Sequence, residues 1–301
     1  MERDREYEEK QQEHTGDGGN HQRPGRQWFR SLTGILAVVF LVVSITLTGL
    51  DYWGDKKRQN QYEKLAQEVQ QEQQTTAAEI EKGTEEEVRE PYVAPVDFET
   101  LAQINPDAIG WIQIPNTGVD YPVVWTDNNE TYLSKSFEGE ASRAGAIYLD
   151  FESEPDFSGR HNIIYGHHMR DGSMFAELVN YKDEEYLKAH PDIYIYTPDR
   201  EIHLKVMAAL YTDASGIRRK TKFADDESFQ AYVDQMTEGC LFRQLPEEPV
   251  ETLYSLVTCS YEFDDARTIL YAYEAGEEEE TQEEKTGALP EESDEKAVNK
   301  E

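Results

Sequence analysis

The sequence predicts a mainly-β domain, a closed or nearly closed barrel of short strands, preceded by two helical segments of different character. Runs of β-branched and aromatic residues, separated by Gly, Pro, Asn and Asp, fill residues 96–273, as is typical of strand-rich domains. A run without charged residues covers 31–50. Polar residues with sparse apolar positions follow it, which indicates a solvated helix.

Eight runs within residues 96–273 have the length and composition of strands. In chain order they are Gly110–Ile114, Tyr121–Val124, Ala146–Leu149, Asn162–Tyr165, Ile193–Thr197, His203–Leu210, Thr252–Thr258 and Thr268–Tyr273. Eight short strands suit a closed barrel. Apolar residues recur at helical spacing in Met174–Val179 and Ser228–Met236, which predicts at least two helices packed on it.

Residues 31–50 predict a transmembrane helix. The segment has no charged residue over 20 positions, and about 20 helical residues cross a hydrocarbon core of about 30 Å. A cleaved signal peptide is the alternative, but the run is longer than the roughly 7–15 apolar residues of such peptides. Lys and Arg flank both ends, so the positive-inside rule does not decide the orientation.

The remaining segments are polar. Residues 1–30 predict a disordered N-terminus, 51–95 a helical stalk or linker, and 274–301 an acidic disordered tail. The formal net charge of −33 excludes nucleic-acid binding, because phosphate contacts need clustered Lys and Arg.

A strand, turn and strand near the C-terminus carry the first chemical pattern. Of the two cysteines, Cys240 and Cys259, the second directly follows an apolar strand, and Arg267 begins the next strand. If these strands form a hairpin, Arg267 returns near Cys259 and could stabilise a thiolate or an oxyanion. The alternatives are a disulfide, or a packing role for Cys259 with Arg267 paired to Asp264 or Asp265.

Two histidines after another predicted strand carry the second pattern. Gly166 allows a sharp turn before His167 and His168, and an imidazole near neutral pH could protonate the leaving amine of a cleaved peptide bond. With His161 and Cys259 these histidines could also be read as zinc ligands. No CxxC, HxxxH or HExxH spacing supports a metal site, and the acid and nucleophile chemistry needs no cofactor.

These stretches resemble class B sortases. TLYSLVTC with Arg267 eight residues after its cysteine resembles the sortase pattern TLxTC followed by an arginine, and IIYGHHMRDGSMF resembles the His-bearing segment of class B. The similarity covers most of residues 96–273, including AIYLDFESEPDF. It implies an eight-stranded sortase barrel with a long, helix-containing connection before the cysteine strand, here about residues 211–250. His168 stands where several members carry another residue, which implies a bystander.

The resemblance implies a role for each residue that matches the motifs. Cys259 matches the nucleophile and His167 the general acid. Arg267 matches the arginine that positions the substrate and stabilises the oxyanion, with the backbone N–H of Ser260 as a second donor. Thr258 matches the threonine that precedes the nucleophile.

The implied reaction is transpeptidation without a cofactor. A C-terminal sorting signal of a surface protein, of a form such as NPxTx, would be cleaved after its Thr and passed from a Cys thioester to an amine of a peptidoglycan precursor or of a pilin lysine. The family implies a single-pass protein of a Gram-positive-type cell membrane, with residues 1–30 cytoplasmic and the catalytic domain extracellular. A hydrolytic cysteine protease and a non-catalytic, membrane-tethered scaffold are the alternatives.

The connection before the cysteine strand contains a basic run, Arg218, Arg219, Lys220 and Lys222. One interpretation is a solvated surface patch. The other is a wall of the substrate groove or a contact to anionic envelope polymers.

Overall fold

Residues 108–274 form a closed β-barrel. The computed structural model describes residues 25–80, 92–212, 218–259 and 266–276. The helices are α1 (Gly25–Ile80), α2 (Phe98–Ile104), a 3-10 helix (Ala176–Lys182), α3 (Glu184–Ala189) and α4 (Asp226–Thr237). The strands are β1 (Ala108–Gln113), β2 (Asp120–Val124), β3 (Ile147–Leu149), β4 (His161–Tyr165), β5 (Asp192–Tyr196), β6 (Glu201–Thr212), β7 (Phe242–Arg243), β8 (Leu253–Cys259) and β9 (Arg267–Glu274).

Eight strands close the barrel in the order β5-β1-β2-β3-β4-β8-β9-β6, and β6 pairs back to β5. The pairs β2 with β3 and β4 with β8 are parallel, and the other pairs are antiparallel. The predicted eight-stranded barrel is confirmed, and every predicted strand overlaps an observed one. The short strand β7 pairs with the middle of β6 outside the ring. Two residues are too few for an alternating pattern, so the sequence did not reveal it.

Alternation along β8 and β9 divides their side chains between two apolar clusters. Tyr254, Leu256 and Leu270 pack inside the barrel. Leu253 and Ile269 face the other way and pack in a second cluster. That cluster also contains the buried residues Phe229, Tyr232, Val233 and Met236 of α4. The helix therefore covers the outer face of the two strands that carry the cysteine and the arginine.

The two predicted helices have different outcomes. The helix predicted at Ser228–Met236 is confirmed as α4, which begins slightly earlier because Asp225 caps it. The helix predicted from Met174 is wrong at its start, since Met174 has a left-handed φ of 60° and forms a bridge with His168. A 3-10 helix begins only at Ala176. Tertiary contacts thus override the helical spacing at this point.

The helix α1 begins at Gly25, inside the segment 1–30 that was predicted to be disordered. In the part of the chain that the structure describes, no helix is long and apolar enough to span a bilayer. The predicted span 31–50 includes positions, such as 31–33, whose side chains lie outside that part. Residues 1–24, 81–91 and 277–301, which belong to the predicted N-terminus, linker and tail, also lie outside it.

Two arginines of the basic run are bound to the barrel. The Nε and Nη2 atoms of Arg219 donate to the two carboxylate oxygens of Asp150, at 2.5 and 3.1 Å, and Asp150 is fully buried. Nη1 of Arg218 donates to the hydroxyl of Tyr271 and to the carbonyl of Met236, each at 3.0 Å. The interpretation of this run as a solvated patch is therefore wrong for both arginines, which fix the connection between β6 and α4.

His161 lies buried between the barrel and this connection. Its Nδ1 is 2.8 Å from the carbonyl oxygen of Lys220, and its Nε2 is 2.7 Å from the hydroxyl of Ser255. Burial lowers the pKa of His161 to about 4. With both nitrogens engaged, His161 is not available as the metal ligand considered above. Among the described residues, no group of three or more His, Cys, Asp and Glu could hold a metal ion.

We expect His161 to make the protein less stable as the pH falls. Its imidazole protonates near pH 6.5 in the unfolded chain and only near pH 4 in the folded chain, so the unfolded state binds more protons between these values. His161→Gln lacks this group. Between about pH 6.5 and about pH 4.5, its free energy of unfolding in urea should therefore fall less steeply with decreasing pH than that of wild type. The two slopes should differ by on the order of 1 kcal/mol per pH unit. Parallel pH profiles for the two proteins would contradict this.

Candidate active site

Two parallel strands end side by side at one edge of the barrel. β4 and β8 are in register as far as Tyr165 and Val257, and the N–H of Gly166 donates to the carbonyl of Val257 at 3.1 Å. His167 and Cys259 each stand two residues beyond the last pair. The pairing therefore brings them to equivalent positions, although they are far apart in the sequence.

β8 and β9 form the hairpin that the sequence predicted. Arg267 lies directly opposite Cys259 in the antiparallel ladder, at the same edge as the end of β4. The backbone of Cys259 is described, but its side chain and residues 260–265 lie outside the described part of the chain. The predicted donor Ser260 and the two aspartates considered as partners of Arg267 are among these.

A cleft of about 170 Å³ lies at this edge. It is lined by Leu133, Tyr148, Tyr165, Gly166, His167, Val257, Thr258 and Arg267, and His168 is not among them. The structure thus brings three of the five predicted site residues around one cleft, and it places the backbone of a fourth, Cys259, beside Thr258.

The main-chain carbonyl of Leu133 fixes the orientation of His167. Nε2 of the ring is 2.7 Å from this oxygen. A carbonyl can only accept, so Nε2 carries a proton, and Nδ1 is the basic nitrogen of the neutral ring. A proton exchanged with a substrate would therefore pass through Nδ1. Sequence reasoning missed Leu133, because it acts through its backbone and any residue type supplies that carbonyl.

Gly145 makes room for this contact. Its backbone is left-handed, with φ +60°. A Cβ atom there would lie 2.5 Å from the carbonyl oxygen of Tyr132, and 3.1 Å from both the carbonyl oxygen of Leu133 and Cδ2 of His167. Glycine is required here for its conformation and for its lack of a side chain.

Gly166 has a different purpose from the one that the sequence suggested. Its φ is not positive, so the turn before His167 does not need the conformational freedom of glycine. A Cβ atom would instead lie 2.6 Å from Cδ1 of Ile147 and 2.6 Å from Cγ of Phe175. The glycine therefore allows the His-bearing loop to pack against the barrel.

Arg267 and Thr258 contribute to the cleft in different ways. The guanidinium of Arg267 is half-buried, and its Nη1 donates to the carbonyl of Ala266 at 3.0 Å. Thr258 lies on the strand face of Tyr254 and Leu256, which pack inside the barrel. Its hydroxyl is buried and has no hydrogen-bond partner within the described ranges. Thr258 thus forms part of the wall, and its hydroxyl does not belong to the polar groups of the cleft.

A buried carboxylate anchors the tyrosine on the cleft wall. The hydroxyl of Tyr165 donates to Asp150 at 2.9 Å, and Arg219 and Asn129 donate to the same carboxylate. Burial by itself would raise the pKa of Asp150, but hydrogen bonds from Arg219, the N–H of Glu152, Asn129 and Tyr165 outweigh it and hold the pKa below its ordinary value. The carboxylate is therefore ionised at neutral pH and holds Tyr165 in place.

Comparison with known proteins decides the family. The family model of the sortase domain matches residues 112–275, more than half of the 301 residues. The chain belongs to the sortase family. Sortases are cysteine transpeptidases, and the matched region contains the barrel strands from β2 to β9 and all of the cleft.

Relatives and a solved structure show that the sortase is of class B. It is 30% identical to sortase B of Listeria monocytogenes over 169 residues, which are 56% of this chain and 69% of that protein. It is 30% identical to sortase B of Staphylococcus aureus over 207 residues, 69% of this chain and 79% of that protein. The structure of the Staphylococcus aureus sortase B–substrate complex matches with a TM-score of 0.63 and 28% identity, over 74% of this chain and 98% of that one. The resemblance inferred from the motifs is confirmed, and nothing in these comparisons favours the hydrolytic or the scaffold alternative.

We expect Gly145→Ala to lower the transpeptidation rate of this sortase. The added Cβ would meet the carbonyl oxygen of Tyr132 at 2.5 Å, so the segment that carries the Leu133 carbonyl must move relative to His167. A displacement of about 1 Å in a positioned group can lower a rate by about 100-fold. Steady-state kinetics with a fluorogenic sorting-signal peptide should show the loss in kcat.

Gly139→Ala is the matched control. Gly139 also has a positive φ, 82°, but no other group lies within 4 Å of the position that its Cβ would take. Both variants introduce a left-handed alanine, and only Gly145→Ala disturbs the contact to His167. If folded Gly145→Ala, checked by circular dichroism, kept the kcat of Gly139→Ala, the assigned role of Gly145 would be wrong.

Proposed function

We propose that Cys259, His167 and Arg267 transfer an acyl group in two steps. The Cys259 thiolate attacks the carbonyl carbon of the Thr in a sorting signal, and the C–N bond breaks as His167 protonates the departing amine. The product is a thioester. An incoming amine then attacks the thioester carbon, gives a proton to His167, and releases the Cys259 thiolate as the new amide forms.

The in-register ends of β4 and β8 support this assignment. They place His167 and Cys259 at equivalent positions of one edge, with the cleft between the surrounding strands. A nucleophile and a general acid must both reach the scissile bond, and two rigid strand ends can hold them at a fixed spacing. No residue of another cleft is needed for the proposed steps.

The position of Arg267 supports a role with the developing oxyanion. It stands opposite Cys259 in the ladder and lines the cleft. A tetrahedral intermediate carries a negative oxygen about one bond length from the attacked carbon, and a guanidinium there stabilises that charge without proton transfer. In this proposal the N–H of Ser260 is the second donor to the oxyanion.

The substrates follow from the family. We propose that the acyl donor is a surface protein with a C-terminal sorting signal of the Asn-Pro-x-Thr-x type. The acceptor is a primary amine of a peptidoglycan precursor, which would anchor the surface protein, or of a pilin lysine, which would assemble a pilus. Cleavage after Thr requires the carbonyl side of that residue to reach Cys259.

We also propose that the chain is a single-pass protein of a Gram-positive-type cell membrane. The uncharged run 31–50 supports the anchor, as do the exposed apolar side chains of α1 between Ile35 and Ile45. An extracellular catalytic domain matches the location of a cell-wall acceptor. Protease protection on intact cells would establish the orientation, which the flanking charges do not decide.

We expect the full chain to form an acyl-enzyme at Cys259 when it is incubated with a library of Asn-Pro-x-Thr-x peptides. Intact-protein mass spectrometry should show the added mass of the acyl fragment, and Cys259→Ala should show none while keeping its circular dichroism spectrum. Cys240→Ala is the matched control, because burial raises the pKa of the Cys240 thiol to about 11 and makes it a poor nucleophile near pH 7. An acyl-enzyme in Cys259→Ala would end the proposal.

The same incubation separates transfer from hydrolysis. With a primary amine such as triglycine added, the released product should carry that amine at its new C-terminal amide. Products that contain only a free carboxylate at every amine concentration would identify a protease instead.

A further inference from the structure

We propose that Tyr62 of α1 is a positioning residue for His167, so that the stalk helix forms part of the catalytic apparatus. The inference rests on the proposed role of His167 as the general acid. It is carried by two chains of contacts that start at Tyr62 and end at the two supports of His167.

The part of α1 that meets the barrel is residues 62–69, here the docking segment. Tyr62, Leu65, Ala66 and Val69 are buried in the same cluster as the barrel core, and the residues between them are exposed. Their spacing places them on one helix face. The N–H of Asp97 also donates to the carbonyl of Val69 at 3.4 Å. The docking segment is therefore packed as part of the catalytic fold.

The first chain of contacts supports the loop that follows His167. The Tyr62 ring meets the Tyr121 ring edge-on, with centroids 5.3 Å apart and an interplanar angle of 88°. The Tyr121 hydroxyl accepts a hydrogen bond from the N–H of Met174 at 3.0 Å. The N–H of Phe175 in turn donates to the carbonyl of His167 at 3.0 Å. Tyr62 thus packs against the residue that holds the far end of this loop.

Met174 makes this support necessary. It is not a glycine, yet its φ is 60°, a conformation that persists only where neighbouring groups hold it. Its bridge to His168 closes the loop that follows His167. If Tyr121 moved away from the Met174 N–H, the main chain after His167 would lose one of its supports.

The second chain of contacts supports the carbonyl that orients the ring. The N–H of Phe137 donates to the Tyr62 hydroxyl at 3.4 Å. The carbonyl of Phe137 accepts from Nδ2 of Asn105 at 2.6 Å, and the same nitrogen donates to the Tyr132 hydroxyl at 2.7 Å. Tyr132 precedes Leu133, whose carbonyl accepts from Nε2 of His167.

Both chains begin at Tyr62 and lead to His167. Truncating Tyr62 would loosen the loop after His167 and the carbonyl that fixes its tautomer, and would leave every residue of the cleft chemically unchanged. A general acid acts in the transition state more than in substrate binding. The loss should therefore appear in kcat and leave KM largely unaltered.

The test compares Tyr62→Ala, Tyr62→Phe and Glu63→Ala in the full chain, with a fluorogenic Asn-Pro-x-Thr-x peptide. We expect kcat to fall by about 10-fold or more in Tyr62→Ala, with KM within about 2-fold of wild type. Tyr62→Phe keeps the ring contact and loses the hydrogen bond from the N–H of Phe137 that begins the second chain, so its kcat should fall by less than that of Tyr62→Ala. Glu63 is the exposed neighbour on the same helix, and its replacement should change neither constant.

A second measurement does not depend on turnover. With ¹⁵N-labelled histidine, NMR reports the tautomer of the His167 ring, and we expect the Nε2–H form in wild type and a mixture of tautomers in Tyr62→Ala. Absence of turnover in wild type would reject the proposed function, and the tautomer would still test the positioning. A folded Tyr62→Ala with wild-type kcat, or with the wild-type tautomer, would overturn the inference.

Tyr121→Phe covers the case in which Tyr62→Ala does not fold. It keeps the aromatic packing and removes only the oxygen that accepts from the Met174 N–H. A lower kcat with unchanged KM would support the first chain of contacts. Wild-type kcat in Tyr121→Phe would overturn it.

Discussion

The parallel pairing of β4 with β8 is the constraint on which the proposed site depends. Because both strands run in the same direction, their C-terminal ends meet at one edge, and His167 and Cys259, each two residues beyond the last pair, take equivalent positions. The antiparallel return of β9 then adds Arg267 opposite Cys259. With β4 reversed, the histidine would lie at the far edge of the barrel. Strand direction therefore brings the three groups together.

A parallel pair needs a long crossover connection, and two buried polar side chains, Asp150 and His161, hold that connection in place. The chain between β4 and β8 contains three strands, the 3-10 helix, α3 and α4. Within the connection, Arg219 donates a hydrogen bond to the buried carboxylate of Asp150. The imidazole of His161, on β4, is hydrogen-bonded to the carbonyl of Lys220 in the connection. Such bonds are strengthened where a partner is shielded from water, as the fully buried Asp150 and His161 are.

The strands and the cysteine–arginine pair were predictable because residue type determines them. Alternating β-branched residues specify a strand, and a short polar turn between two such runs specifies a hairpin, which sets Arg267 opposite Cys259. The supports of His167 were not predictable. The carbonyl of Leu133 and the space at Gly145 are main-chain features that no side chain encodes. The left-handed Met174, within a segment of helical spacing, depends on a hydroxyl from a strand distant in sequence.

The most direct test of this account is a crystal structure in which a sorting-signal peptide with a thiol-reactive group in place of its Thr carbonyl is bonded to the protein. We predict a bond to Sγ of Cys259, with the adjoining oxygen within hydrogen-bond distance of Arg267. Nδ1 of His167 should face the leaving-group side, and Nε2 should stay on the carbonyl of Leu133. An adduct at Cys240, or one at Cys259 with His167 and Arg267 turned away from it, would contradict the account.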